Sequence, residues 1–176
     1  TLSFEELCNT LAELGEKKFR ATQLYQWMWQ KRVRSFDQMS NLSQKLREQL
    51  SEKFYFQTIK AVDTQKSSDG SYKFLFSLSD GAAVEGVLIP SKDRMTACIS
   101  SQVGCGLQCT FCATGSLGFT RNLSVGEITD QFFIMDATAR ESGNGGISNI
   151  VYMGMGEPLM NYNNVLKAIE MITSPE

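Results

Sequence analysis

From Met95 onward, the sequence passes twice through a short apolar run, a glycine-rich loop and a longer amphipathic segment. The apolar runs, MTACIS and ISNIVYM, have the length and composition of short buried strands. The amphipathic segments, SVGEITDQFFIMDATARE and NYNNVLKAIEMI, are predicted helices; Ser124 and Glu127 are spaced as a capping box, and NGG ends the first. Strand, loop and helix repeated in this order predict the start of a parallel α/β sheet or barrel, whose ligands collect at the carboxyl ends of the strands.

A helical region precedes these units. SFEELCNTLAELG has Ser3 and Glu6 as a predicted capping box and Gly15 as a stop. ATQLYQWMWQKRV and NLSQKLREQL are predicted to form two more helices, the second opening at Asn41 and Gln44. Cys8 is most simply a small buried apolar residue of the first helix.

Between the helices and the α/β units, the periodicity changes to two. SYKFLFSLSDGAAVEGVLIP predicts a hairpin that turns at Ser79-Asp80-Gly81, and SSDG, before it, predicts another turn. Tyr72, Phe74, Phe76 and Leu78 are expected on one face of the first strand, and Val84, Val87 and Ile89 are the apolar positions of the second. We therefore expect three regions: a helical accessory domain (1–54), a β-rich linker (55–92) and the first part of an α/β barrel (93–176).

Composition excludes several classes of protein. No apolar run approaches the roughly 18 residues of a membrane span, and no secretory signal is visible. Five cysteines, mostly clustered, do not resemble a disulfide framework, and clustered thiols in a chain without export signals more often bind metal or carry out redox chemistry. We therefore expect a reducing cytoplasm. The absence of an initiating Met, and an end directly after a predicted helix, lead us to expect a fragment of a longer protein.

The first glycine-rich loop contains three cysteines in the pattern C-x3-C-x2-C: Cys105, Cys109 and Cys112. Three thiolates from one loop can hold three irons of a 4Fe-4S cluster and leave the fourth iron open to a substrate or cofactor. A structural zinc site is the alternative, because Cys98 could supply a fourth thiolate in a chain that has no His. A ferredoxin-type electron carrier is less favoured, since it would ligate all four irons.

The second glycine-rich loop, GMGEP, follows the second predicted strand. Glycines there allow close approach of a ligand to the backbone, and the carboxylate of Glu157 can accept a hydrogen bond from an ammonium group. Alone, such a loop is more often a tight turn before a helix. One unit after the cysteine loop, it is similar to the motif that holds the cofactor's amino group in radical S-adenosylmethionine enzymes, which the cysteine spacing also resembles.

Charge is unevenly distributed along the chain, whose net charge is −2. Between residues 16 and 34, Glu16 is the sole carboxylate among six cations: Lys17, Lys18, Arg20, Lys31, Arg32 and Arg34. Such a basic patch on an acidic chain can steer a polyanion to one face. Tyr25, Trp27 and Trp29 could stack on bases, although at least one of the tryptophans is expected to be core.

Nearly the whole chain resembles one family. CISSQVGCGLQCTFCATGSLGFTRNLSVGEI, VYMGMGEPLMN and KKFRATQLYQWMWQKRVRSFDQMSNLSQKLRE resemble the RlmN/Cfr family of radical S-adenosylmethionine RNA methyltransferases, more closely its adenine carbon-2 branch than its carbon-8 branch. The resemblance implies a partial (β/α)6 barrel, a 4Fe-4S cluster, S-adenosylmethionine, 23S rRNA and tRNA as substrates, and a monomer that accepts electrons from a flavodoxin or ferredoxin. A non-enzymatic RNA-binding module with a four-cysteine zinc site is the other hypothesis.

The resemblance also implies roles for individual residues. Cys105, Cys109 and Cys112 correspond to the cluster ligands, and Gly156, Glu157 and Pro158 to the cofactor-binding loop. Glu85 corresponds to a proton acceptor, although the residues alone favour the simpler reading of an exposed strand carboxylate. Cys98 corresponds to a thiol that releases the methylated RNA from a protein crosslink by forming a disulfide.

The family mechanism needs a further cysteine. One cofactor molecule methylates a cysteine in the C-terminal half of the family's proteins, and a second initiates hydrogen abstraction from that methyl group. Family members are about twice as long as this chain, and none of its five cysteines corresponds to the methyl carrier. We therefore expect these 176 residues by themselves to be inactive as a methyltransferase.

Overall fold

The computed structural model describes residues 2–56, 59–143 and 145–173. The chain divides into two compact units, the first formed mainly by residues 1–56 and the second by residues 57–170. The β-rich stretch and the α/β stretch thus lie in one unit, while their division into separate domains stays a prediction.

The first unit is helical. Its helices are α1 (Phe4–Glu13), α2 (Lys18–Tyr25) and α3 (Gln44–Lys53), with a π-helical turn at Gln26–Gln30 and a 3-10 turn at Phe36–Gln38. The capping box predicted for α1 is present, because Ser3 and Glu6 exchange hydrogen bonds with each other's backbone amides. Apolar side chains at helical spacing form the core of the unit: Leu7, Leu11, Leu24, Leu46 and Leu50. Cys8 is partly buried against this core.

The cap predicted for α3 is wrong by two residues. Ser43, not Asn41, is the N-cap, and its hydroxyl accepts a hydrogen bond from the Leu46 amide at 3.3 Å. The Asn41 side chain instead accepts from the indole N–H of Trp27. A contact between residues 14 positions apart therefore replaces the local capping bond.

The second unit is built on a mixed sheet. Its strand order is β1-β2-β3-β4-β7, formed by β1 (Lys60–Lys66), β2 (Tyr72–Ser77), β3 (Ala83–Ser91), β4 (Arg94–Cys98) and β7 (Asn149–Val151). The pairs β1–β2, β2–β3 and β3–β4 are antiparallel, whereas β4 and β7 are parallel, as predicted for the two α/β units. A separate two-stranded sheet pairs β5 (Gln102–Gly104) with β6 (Phe119–Asn122).

Three helices accompany these sheets in the described part of the unit: α4 (Ala113–Ser116), α5 (Val125–Glu141) and α6 (Tyr162–Thr173). A 3-10 turn at Pro158–Asn161 leads into α6. α5 has the predicted capping box and ends at Glu141, before the NGG segment. Asn144 of that segment lies outside the described residues.

One face of the large sheet is buried and the other is largely open. Phe74, Phe76 and Leu78 are buried, as the alternation predicted. On β3 the buried positions are Val84, Gly86 and Leu88. Val87 and Ile89, the other apolar positions of this strand, lie on the open face, because residues an odd number of positions apart along a strand point to opposite sides.

Candidate active site

The cysteine loop is closed at its base by the β5–β6 pair. Cys105 follows β5 directly, and its amide donates to the carbonyl of Gly118 at 2.9 Å. Gly104 has a φ of 74°, and a Cβ at this position would collide with the same carbonyl. Only glycine tolerates the positive φ and also lacks the Cβ that would collide. Glycine at this position therefore lets the two ends of the loop meet.

The three predicted cluster ligands lie within this loop at different depths. Cys105 is buried, Cys109 and Cys112 are partly buried, and all five cysteines of the chain are free thiols. Phe111, between two of the ligands, is 90% exposed. Across residues 2–56, 59–143 and 145–173, no three His, Cys, Asp or Glu side chains converge on a point suited to one metal ion.

The chemistry of the loop fits a group that binds thiolates. Its three thiols are the soft ligands that iron-sulfur clusters use. The backbone amides of Gly115 and Thr114 hydrogen-bond the Cys112 thiolate and hold the pKa of that thiol below its ordinary value. Backbone amides directed at a sulfur stabilise the charged form that a metal requires.

The GMGEP loop is attached to the segment that connects β4 to β5. The carbonyl of Met155 accepts from the amides of Ser101 at 2.8 Å and Gln102 at 3.1 Å, and its amide donates to the hydroxyl of Ser100 at 2.8 Å. The amide of Glu157 donates to the side-chain carbonyl of Gln102 at 2.9 Å. Because this segment lies between Cys98 and Cys105, the two predicted ligand loops share one support.

Gly156 makes the close approach possible. Its φ is 96°, and a Cβ there would lie 2.5 Å from the Cβ of Gln102. The following Glu157 caps the 3-10 turn, accepting from the Leu159 amide at 3.1 Å, and Pro158 occupies the first position of that turn. The fixed φ of proline suits this position. The three residues predicted to bind the cofactor are therefore consecutive on a rigidly held turn.

Cys98 and Glu85 lie on the open face of the sheet. Cys98 ends β4 and pairs with Val87 of β3 and Val151 of β7. Residues that pair across two strands have their side chains on the same face, and so do residues two positions apart on one strand. Glu85 lies two positions before Val87, so it is a diagonal neighbour of Cys98 on that face. The structure brings together two of the residues whose roles rest on the family resemblance.

The surroundings of these two residues differ. Burial raises the pKa of the Cys98 thiol, with a smaller opposing effect from a hydrogen bond to the Met153 backbone, and this favours the protonated form. The Glu85 carboxylate is half exposed and forms an ion pair with Lys73 at 2.7 Å. Lys73 lies on β2 directly opposite Val87, so it shares the open face.

Buried polar groups that the sequence analysis missed support the site. Ser100, Gln102 and Gln131 are each at most 1% exposed. The amide of Gln131, on α5, accepts from the Ser100 N–H at 3.0 Å and donates to the Ser100 carbonyl at 3.1 Å. The polar run Ser100-Ser101-Gln102 directly after an apolar strand was the available signal, because ligand sites of α/β folds lie at strand ends.

Arg121 supports the site from β6. Its guanidinium donates to both oxygens of Glu127 at 3.0 and 2.8 Å and to Asp80 at 2.7 Å. It thus joins the strand after the cysteine loop to the first turn of α5 and to the β2–β3 turn. Burial alone would raise the pKa of Glu127, but the hydrogen bonds from Arg121 and Ser124 outweigh it, and the net shift is downward.

In the helical unit, the predicted basic patch is only partly exposed. Lys17, Lys18 and Lys31 are exposed, and Lys31 lies over the Trp27 ring at 3.5 Å. Arg20, Arg32 and Arg34 are partly buried. Tyr25 is 4% exposed and packs against Trp29, so the prediction that Tyr25 stacks on RNA bases is wrong. Its ring is required by the helical core.

Residues 1–56 match the family model of the ribosomal RNA large subunit methyltransferase N-terminal domain. Over its whole length, the chain is 52% identical to a probable dual-specificity RNA methyltransferase RlmN of Cytophaga hutchinsonii, of which it covers 48%. The chain is thus similar over its full length to proteins named RlmN. A dual-specificity RNA methyltransferase RlmN of Oleidesulfovibrio alaskensis is 49% identical over 98% of this chain and 49% of its own length.

A solved structure supports the fold assignment. The crystal structure of a radical SAM methyltransferase from Sphaerobacter thermophilus superposes with a TM-score of 0.92 at 37% identity, covering 99% of this chain and 51% of that one. The chain therefore spans about half the length of the RlmN relatives it matches. Among the described residues, we find no helix with the length and apolar content that crossing a bilayer requires.

Proposed function

We propose that this chain supplies the cluster-binding and cofactor-binding half of a radical S-adenosylmethionine methyltransferase that modifies carbon 2 of adenine in 23S rRNA and tRNA. One observation carries the proposal: hydrogen bonds between residues 100–102 and the Met155 and Glu157 backbone attach the GMGEP loop beside the cysteine loop. The names of the RlmN relatives and of the solved structure support an RNA methyltransferase of the radical type. They favour neither a carbon-8 enzyme nor a zinc module.

Cys105, Cys109 and Cys112 would hold a 4Fe-4S cluster, and Gly156, Glu157 and Pro158 would line the site of S-adenosylmethionine. When bound, these groups supply methyl transfer and one-electron cleavage of a sulfur–carbon bond. The residues of this chain orient them. The carboxylate of Glu157 is a suitable acceptor for an ammonium group, and its backbone amide is already bonded to Gln102.

Glu85 and Cys98 would act after the carbon–carbon bond to adenine has formed. Glu85 would accept a proton from the modified adenine, and Lys73, 2.7 Å away, would stabilise the carboxylate until that step. The Cys98 thiol would then give up its proton and attack the sulfur that carried the methyl group. As the disulfide forms, the bond from that sulfur to the transferred carbon breaks, its electron pair passes to that carbon, and the carbon takes up a proton to become the methyl group of the released product. The raised pKa of Cys98 keeps the thiol protonated at rest, which limits reaction with the wrong partner.

The substrate and partners follow from the same assignment. Exposed Lys17, Lys18 and Lys31 are available to RNA phosphates. A flavodoxin or ferredoxin would donate electrons, and the enzyme would work as a monomer in the cytoplasm.

Metal content tests the assignment of the cysteines. After anaerobic reconstitution, we expect a brown protein with about four irons, as a 4Fe-4S cluster requires. Cys109→Ala should abolish iron binding, whereas Cys98→Ala, the control on the neighbouring strand, should retain it. Colourless protein with one zinc that depends on Cys98 would refute the proposal.

Nucleoside analysis tests the reaction. A full-length protein carrying this segment should yield 2-methyladenosine in 23S rRNA and tRNA, and 8-methyladenosine as the product would contradict the carbon-2 assignment. The 176-residue chain by itself should give no methylated product even in a single turnover. Product from this chain would show that it contains every residue needed for catalysis.

A further inference from the structure

The hydroxyl of Ser100 joins two parts of the proposed site that are far apart in sequence. It donates to the backbone carbonyl of Glu85 at 2.6 Å and accepts from the amide of Met155 at 2.8 Å. A hydroxyl can donate one hydrogen bond while accepting others, so a single oxygen serves both contacts. Glu85 lies 15 positions before Ser100 and Met155 lies 55 positions after it, and both bond to this one oxygen.

The position of that oxygen is itself fixed. The Ser100 residue is fully buried, and the side chain of Gln131 bonds both its amide and its carbonyl. A third bond from Gln131, to the Glu127 carbonyl at 3.2 Å, ties this arrangement to α5. Buried polar groups whose hydrogen bonds are all satisfied specify one geometry, because any displacement leaves a group without its partner.

We propose that Ser100 is a positioning residue whose hydroxyl couples the GMGEP loop to strand β3 and thereby sets the place of Glu85 relative to bound S-adenosylmethionine. The proposal rests on the proposed function, which assigns Glu85 and Glu157 their roles. Ser100 itself contacts neither cofactor nor RNA in this scheme. It acts through the two backbone segments that its hydroxyl holds.

The adjacent residue offers a matched control. Ser101 is also buried, and its hydroxyl has no hydrogen-bond partner in the described parts of the chain. Ser100→Ala and Ser101→Ala thus remove the same atom from neighbouring buried positions, but only the first removes two hydrogen bonds. Gln102→Met is a second comparison, because it removes the acceptor of the Glu157 amide, and with it the bond that Gln102 donates to Asn122 at 2.7 Å, without touching the β3 contact.

The test uses full-length protein carrying this segment, loaded with its cluster, with S-adenosylmethionine as the varied ligand. For Ser100→Ala we expect KM for S-adenosylmethionine to rise and kcat to fall, each by about tenfold or more, since small displacements of catalytic groups have effects of this size. Ser101→Ala should match the wild type in both parameters. Gln102→Met should raise KM with little change in kcat, and Ser100→Thr, which keeps the hydroxyl, should restore part of both losses.

Two further readouts separate positioning from general destabilisation. Iron content should be similar in Ser100→Ala and Ser101→Ala, and melting curves should show both folded at the assay temperature, while the change that S-adenosylmethionine produces in the electron paramagnetic resonance spectrum of the reduced cluster should be weakened only in Ser100→Ala. Equal kinetics of the two alanine variants, or an unchanged kcat in Ser100→Ala, would overturn the proposal. If instead the wild-type protein with its cluster produced no spectral response to S-adenosylmethionine, the proposed function itself would fail.

Discussion

At the scale of single residues, Gly156 shows how backbone conformation determines the structure of the GMGEP loop. Its positive φ and its contact with Gln102 each exclude a side chain for a separate reason. The motif GMGEP indicates a turn, but it does not indicate what the turn packs against. The residue that the turn packs against, Gln102, lies 54 positions away in the sequence.

Gly156→Ala should therefore weaken cofactor binding and lower the free energy of unfolding by about 1–3 kcal/mol, the usual cost of a strained backbone position. Gly143→Ala is the control, because Gly143 also has a positive φ, 82°, but a Cβ there meets nothing within 4 Å. Urea denaturation and equilibrium binding of S-adenosylmethionine measure both effects. Equal stability losses in the two variants would mean that the contact with Gln102 contributes nothing.

Cys98 and Glu85 illustrate a different limit at the residue scale. The family resemblance assigns both roles, yet neither position has a local signature, since each is one residue of an ordinary strand. Their proximity results from the β3–β4 register, which pairs Val87 with Cys98. A shift of that register by one residue would move Cys98 away from the face that bears Glu85.

At the scale of elements, helix α5 combines a feature visible in the sequence with one that is not. The capping box of Ser124 and Glu127 follows from residue spacing and is present. The additional bonds from Arg121 to Glu127 depend on β6 lying beside the first turn of α5. The same carboxylate therefore stabilises the helix locally and fixes the strand that closes the cysteine loop.

This arrangement predicts a pH dependence. Because the folded state holds the pKa of Glu127 below its ordinary value, the ionised carboxylate stabilises the fold, and this contribution is lost as pH falls through the lowered pKa. Glu127→Gln should cost about 2 kcal/mol at neutral pH, a typical value for hydrogen bonds to a charged group. Urea denaturation of both proteins from pH 7 to pH 3 should show the difference shrinking with acidification.

Glu141→Gln, at the exposed last residue of the same helix, serves as the control. It should change stability little at any pH, because exposed carboxylates contribute little. A constant difference between wild type and Glu127→Gln across the whole pH range would contradict the assignment of Glu127 as the titrating group.

At the scale of the whole molecule, the basic patch of an acidic chain is concentrated in the helical unit. Charge reversal at Lys17 and Lys18 should weaken RNA binding by the full-length protein and make its dependence on salt shallower. The slope of log K against log salt should decrease by roughly 1–2, because each lost phosphate contact contributes somewhat less than one.

Charge reversal at Lys60 and Lys66, on the exposed β1, changes the net charge equally and should leave that slope nearly unchanged. Fluorescence anisotropy with an rRNA fragment at several salt concentrations measures both variants. If the two pairs of substitutions had equal effects, overall charge rather than the patch would govern binding.

The sequence by itself determined the features that depend on neighbours along the chain. The caps at Ser3 and Ser124, the turn at Ser79-Asp80-Gly81 and the spacing of the three loop cysteines are all set within a few residues, where chain connectivity fixes the geometry. The family resemblance assigned roles to individual residues, but it gave no information on how those residues are arranged in space.

Only the tertiary structure decided which side of β3 faces the core, that Tyr25 is buried, and that Ser100, Gln102 and Gln131 hold the GMGEP loop against the segment between Cys98 and Cys105. The physical reason is the same in each case. A buried polar group must find a hydrogen-bond partner, and a strand must choose one face for burial, but the partner and the covering element come from distant parts of the chain. Local sequence patterns indicate that a polar group needs a partner or that a strand has a buried face. Long-range packing determines which residues provide that partner or cover that face.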